Sequence, residues 1–179
     1  MKFEKEIVED LHRFLVSIGK MDEKMPECPD LDEIWPAIKE AYLPDGIREF
    51  QEYPMYSLGS IMFVGMALAK YWDVDWIKYN EEGGEKIYIR LRDAKGFDNM
   101  DDHILADVLE LDTEKSEEMS KVVGECAARV LATLNRSTIE PGTSEALHAY
   151  ESCLHALYTV GAAMELNALG YHMTPLNQA

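Results

Sequence analysis

His148, Glu151 and His155 come nearest, in type and spacing, to a metal-ligand set in this 179-residue chain. Offsets of three and seven place them within about 60° of one another on a helix, and imidazoles with a carboxylate suit zinc or a carboxylate-bridged metal pair. The apolar face of the same helix runs through Leu147, Tyr150, Leu154, Leu157 and Gly161, so the triplet is expected partly exposed or turned toward another helix. Dimetal bundles use Glu-x-x-His twice with two further glutamates. The literal match here, Glu9 with His12, lies opposite the Phe3, Leu11 and Phe14 stripe and is expected to face water. Against the metal reading stands the plain one, that these are ordinary polar positions of a helix.

A second group joins rigid aromatic surface to both signs of charge. Trp72, Asp73, Asp75 and Trp76 are followed downstream by Arg90 and Arg92, the composition of a ligand pocket or an interface hot spot. The competing reading is a helix end under a loop, with arginines stacked on aromatic rings. A third group, Asp98, Asp101, Asp102, His103 and Asp107, has the oxygens of a cation site but not the calcium-loop pattern, which needs glycine at its sixth position where His103 stands. Acids ahead of a helix more often cap it and meet its dipole. No glycine-rich phosphate loop, nucleophile elbow, kinase signature or zinc-protease motif is present, so no residue is assigned a catalytic role and no cofactor is implied.

Cys28, Cys126 and Cys153 form no Cys-x-x-Cys pair and are too few for a disulfide framework. Cys126 and Cys153 sit among small apolar residues and are expected to pack as hydrophobes. Cys28 lies between Pro26 and Pro29 and is expected to be accessible, with acidic neighbours that raise a thiol pKa rather than activate it.

The elements that position these residues are helical. Residues 55–69 contain no charged side chain in a chain of net charge −17, and their large side chains fall all round a helix, which requires burial on every face. The run is short of the ~18–20 apolar residues of a membrane span. Phe3, Ile7, Leu11, Phe14, Leu15 and Ile18 recur at helical spacing over 3–18, with Gly19 as the stop. Asp30 is a candidate N-cap for a helix over 31–42, Pro44-Asp45-Gly46 reads as a turn, and a short helix over 47–52 leads to Pro54. Asp101 or Asp102 is expected to cap a short helix through Leu109. Thr113 opens a longer helix to 136, and Thr143 or Ser144 caps one to Leu169 that Gly170 ends. Trp72 and Trp76, four apart, would extend the helix, whereas Ile87, Ile89 and Leu91 alternate with Tyr88, Arg90 and Arg92 in a strand-like period, so 74–97 is left open between helix and a short irregular or hairpin excursion, the hairpin disfavoured because no third strand is evident. Val64-Gly65, Val123-Gly124 and Val160-Gly161 each put glycine inside a helix, which costs ~1 kcal/mol against alanine and points to close helix contacts there.

The expected fold is all-α: a single domain over 1–179, a bundle of five to seven helices around two buried central ones at about 55–72 and 144–169. Acidity argues against nucleic-acid binding, and the acids among the first ten residues break any signal-peptide core, so a cytoplasmic location is expected with no membrane contact. Residues 119–179 carry only −2 of the net charge. Two functions follow. One is a non-enzymatic interaction module, acting through Trp72 and Trp76 or by self-association of the C-terminal third through Leu166, Leu169 and Tyr171. The other is a ligand-binding or metal-dependent bundle, with a site near the tryptophans and the Asp98 to His103 cluster.

Overall fold

A computed structural model describes residues 2–171 of the chain. Seven α-helices account for nearly all of them, and no strand occurs among the described residues. The helices are α1 (Lys2–Ser17), α2 (Pro29–Glu52), α3 (Pro54–Glu82), α4 (Gly84–Asp93), α5 (Met100–His103), α6 (Thr113–Arg136) and α7 (Ser144–Ala168). A 3-10 turn at Phe97–Asn99 precedes α5, and a π-turn at Ile104–Val108 continues it. No helix among the described residues is long and apolar enough to cross a membrane.

The uncharged run makes α3 the axis of the bundle, with every residue from Ser57 to Ala69 buried. Its principal partner is α7, and glycine sets how closely the two approach. A Cβ on Gly65 would overlap the carbonyl oxygen of Tyr158 and stand 3.1 Å from its carbonyl carbon; a Cβ on Gly161 would do the same to Met62. The contact is reciprocal and lies between backbones. Two of the three internal glycines thus have the predicted role. Gly124 does not, since a Cβ there would meet nothing within 4 Å.

α2 replaces the expected helix, turn and second helix with one continuous helix holding Pro36 and Pro44 in its interior. Each proline removes a hydrogen bond to the carbonyl four residues back, but Pro36, Pro44, Asp32 and Glu40 are all exposed, so water can take the freed carbonyls. Gly46 continues the helix because it faces Tyr42 and Tyr150, where an added Cβ would stand 2.5 and 2.6 Å from ring and hydroxyl atoms. Asp45 is buried rather than at a turn tip.

Of the alternatives for 74–97 the structure takes the helical one, with no hairpin among the described residues. α3 runs on to Glu82 and α4 follows after Gly83, which has φ +89°. The alternation over 87–92 misled because Tyr88 belongs to the core: Ile87, Tyr88 and Leu91 are fully buried, a helical spacing. Cap positions shift as well. Cys28 occupies the N-cap of α2 with Pro29 as its first residue, and Asn99 rather than an aspartate precedes α5. Thr143 caps α7 as expected, its hydroxyl accepting from the Ala146 amide at 3.0 Å.

Candidate functional site

α3 breaks once, at Asp75, whose backbone (φ −164°, ψ 78°) is extended inside an otherwise helical segment. The Asp75 carboxylate accepts from the amide of Lys78 at 3.3 Å, the geometry of an N-cap, so the last two turns of α3 are a restarted helix. Trp72, ahead of the break, donates its indole N–H to Asp30 at 2.9 Å and meets the Tyr171 ring edge-on at 5.3 Å between centroids. The Tyr171 hydroxyl donates to Asp73 at 2.6 Å. Beyond the break, Trp76 packs half-buried against the core. Val74 and Ile77 do not pack: they are 62% and 78% exposed.

The arginines flank this region without joining into one site. Arg90 makes a bidentate pair with Glu82, both bonds 2.9 Å, and lies over the stacked rings of Tyr71 and Tyr79 at 5.3 Å from each. Two residues on, and about 200° round the helix, Arg92 turns away to Asp93 at 2.8 Å and the buried Asp45 at 3.2 Å. Asp45 also accepts from Tyr88 at 2.8 Å and pairs with Arg48 at 3.2 Å. The six predicted residues therefore fall into four local arrangements: a tether at Trp72 and Asp73, a cap at Asp75 beside Trp76, and a separate clamp at each of Arg90 and Arg92.

His148, Glu151 and His155 do not converge on a common point. His155 bonds Glu4 at 3.0 Å and stacks on Trp35 at 5.2 Å, Glu151 pairs with Lys39 at 3.5 Å, and His148 is exposed beside a cavity of about 710 Å³ lined by Phe3 and Ile139. Among the described residues no three histidine, cysteine, aspartate or glutamate side chains are placed to hold a metal ion. The metal reading of this triplet draws no support from the geometry.

The acidic cluster divides between two clefts. His103 bonds Asp107 at 2.8 Å, and Lys95 reaches the same carboxylate at 3.2 Å; these two bonds hold Asp107 below the usual carboxylate range. This pair borders a cleft of about 440 Å³ shared with Lys70, Tyr71 and Arg90. Asp98, Asp101 and Asp102 line a different cleft, of about 590 Å³. Asp101 accepts from Ser60 at 3.2 Å through one oxygen; its other oxygen is buried with no hydrogen-bond partner among the described residues. Burial pushes its carboxyl up to about 7.

Leu166 is only 3% exposed, so the proposed self-association face in the C-terminal third loses its central residue to the bundle's own core. Cys126 and Cys153 are buried as expected; Cys28 is half-buried rather than open, and burial raises its thiol. The sequence reading missed Val74, Ile77 and Asp45. For the first two a signal was present, an apolar pair three apart just past the end of the uncharged run, flanked by charges on both sides. The chain matches no family model, and no curated protein or solved structure shows significant similarity to it.

Proposed function

We propose that this chain is a non-enzymatic protein-interaction module that docks its partner through the restarted end of α3. The observation that carries the reading is the exposure of Val74 and Ile77, at 62% and 78% well above the other exposed aliphatic side chains, on the two sides of the Asp75 break. Exposed apolar side chains scattered singly need no explanation, but two this exposed within four residues of chain, next to a half-buried tryptophan, have the makings of an interface centre. The segment is also held in one shape before any partner arrives, by the Asp75 cap, the Trp72 tether to α2 and the Arg90 clamp on Tyr71 and Tyr79. Preorganisation of this kind lowers the ordering cost of association. The rim carries Asp73, Asp75 and Lys78, which favours a partner with an apolar centre and mixed charge at its edge. The reading takes the protein as cytoplasmic, in keeping with three free cysteines, and as a poor ligand for nucleic acid at a net charge of −17.

The test is site-specific photo-crosslinking in cells, with the probe at position 74 or 77 and control probes at exposed Lys86 and Glu114. Discrete adducts from 74 and 77, lost when Trp76→Ala is added to a chain that remains folded, are the expected result. Adducts no stronger than those of the control positions would refute the reading. Val74→Asp and Ile77→Asp should leave unfolding stability within about 0.5 kcal/mol of the parent, because both positions already face solvent.

A further inference from the structure

The cleft bearing Asp98, Asp101 and Asp102 lies on another part of the molecule from the α3 end, and its chemistry is uniform in sign. Four of its lining residues are acids, the three aspartates with Glu52, and none is a lysine, arginine or histidine. Its apolar wall comes from Tyr53, Tyr56, Phe63 and Val123. Tyr53 is 62% exposed, an unusual setting for a tyrosine with no partner core to cover it. Tyr56 fixes the acidic turn to α3: its hydroxyl lies 2.9 and 2.8 Å from the carbonyl oxygens of Phe97 and Asp98.

Two observations mark this cleft as more than an acidic patch. Asp101 is sunk in its floor with one oxygen bound by Ser60 and the other buried and unpartnered among the described residues. A buried acceptor without a donor is costly; that oxygen is closed to solvent as it stands, and a turn about the broad χ2 torsion of aspartate is what would present it to a donor in the cleft. Gly124 is the second. It stands in mid-α6 on the cleft wall, where a Cβ would meet nothing within 4 Å, so no packing within the chain calls for glycine there.

We infer that the cleft between α3, α5 and α6 is a binding site for a small organic cation, a protonated primary amine carried on an aromatic or aliphatic body. The ammonium lies toward Asp101 with Asp98 and Asp102 supplying the surrounding negative field, and the body lies against Phe63 and Val123 under Tyr53. A bare metal ion is the poorer occupant, because no three carboxylates among the described residues converge as ligands. An anionic ligand meets four carboxylates and no compensating cation.

The probe is phenethylammonium chloride, titrated into isotopically labelled full-length protein and followed by amide chemical shifts at about pH 8, where Asp101 is ionised and the amine keeps its proton. Saturable shifts are expected at Gly59, Ser120 and Gly124, and 3-phenylpropionate, an anion of nearly the same shape, should produce none. Asp101→Asn should weaken binding about ten- to a hundredfold, the range for losing a hydrogen bond to a charged group. Gly124→Leu should abolish it by filling the cleft, and because it replaces glycine in a helix it keeps the fold. The inference is overturned if the amine gives no saturable shifts, if phenylpropionate binds as well, or if either variant binds like the parent.

Discussion

Replacing Gly161 by alanine adds a single methyl group where α7 crosses α3, and the structure leaves no local way to accommodate it. The new Cβ would overlap the Met62 carbonyl oxygen and stand 3.0 Å from Met62 Cγ and 3.1 Å from its carbonyl carbon. A side chain could swing aside, but a backbone carbonyl in a fully buried helix cannot, so the two helices must separate by roughly an ångström. A radial gap of 0.5–1 Å forfeits about a quarter to a half of each ~0.1–0.2 kcal/mol atom contact. Over some tens of contacts along the crossing this comes to ~2–4 kcal/mol, partly offset by the ~1 kcal/mol that alanine gains over glycine in a helix. The net expectation is a loss of about 2 kcal/mol, seen in urea denaturation as a lower midpoint at unchanged slope, and in melting as a fall of ~4–8 °C for a chain of this size. Gly65→Ala, which meets the Tyr158 backbone on the other side of the same crossing, should behave alike. The double variant should lose less than the sum, because the first methyl has already spread the helices for the second. Gly124→Ala is the control and should gain up to ~1 kcal/mol, since its Cβ enters open space. A Gly161→Ala protein as stable as the parent, or a strictly additive double variant, would refute the claim that backbone contact sets this approach.

Three further outcomes follow from buried carboxyls. Asp101 titrates near 7 in the folded chain and near 3.9 when unfolded, so the folded state holds a proton that the unfolded state releases. Stability should therefore fall as pH rises from about 4 to about 7, by at most ~4 kcal/mol for this group, with the full penalty standing above pH 7. Asp101→Asn, followed by denaturation across that window, should match the parent near pH 4 and exceed it at pH 8; a difference that does not change with pH would refute the assignment. Glu165, also raised to about 7 by burial despite Lys70 nearby, should add a slope of the same sign that Glu165→Gln removes. Asp45→Ala should cost about 3 kcal/mol, because it strips the Tyr88 hydroxyl and Arg92 of their shared acceptor, whereas Asp45→Asn should cost less by keeping an acceptor for Tyr88; equal losses in the two variants would show that Tyr88 draws nothing from that bond.

Helices whose hydrophobic spacing and caps agree were legible in the sequence. The expected 3–18, 113–136 and 144–169 correspond to Lys2–Ser17, Thr113–Arg136 and Ser144–Ala168, and the uncharged run became the axis. The misread elements are those where a local signal lost to a tertiary one. Pro44-Asp45-Gly46 carries strong turn chemistry, but Asp45 gains three hydrogen-bonding partners and Gly46 a close contact with Tyr42 and Tyr150 by staying helical. Tyr88 looked polar in the alternation over 87–92, yet its ring is buried and only its hydroxyl needs a partner, which Asp45 supplies.

The candidate sites were legible as compositions and not as geometries. Sequence proximity placed Arg90 with Arg92 and Asp101 with Asp107, whereas 100° of rotation per residue sends each pair to different surfaces. The three internal glycines show the same limit from the other side. In sequence they are equivalent, each following a valine inside a helix, and each lowers helix propensity by about the same ~1 kcal/mol. In the folded chain Gly65 and Gly161 recover that cost through a backbone approach that no other residue permits, while Gly124 recovers nothing from any described neighbour. What borders Gly124 instead is the acidic, aromatic-walled cleft beside the unpartnered oxygen of Asp101, the space that the proposed amine would fill and that Gly124→Leu would close.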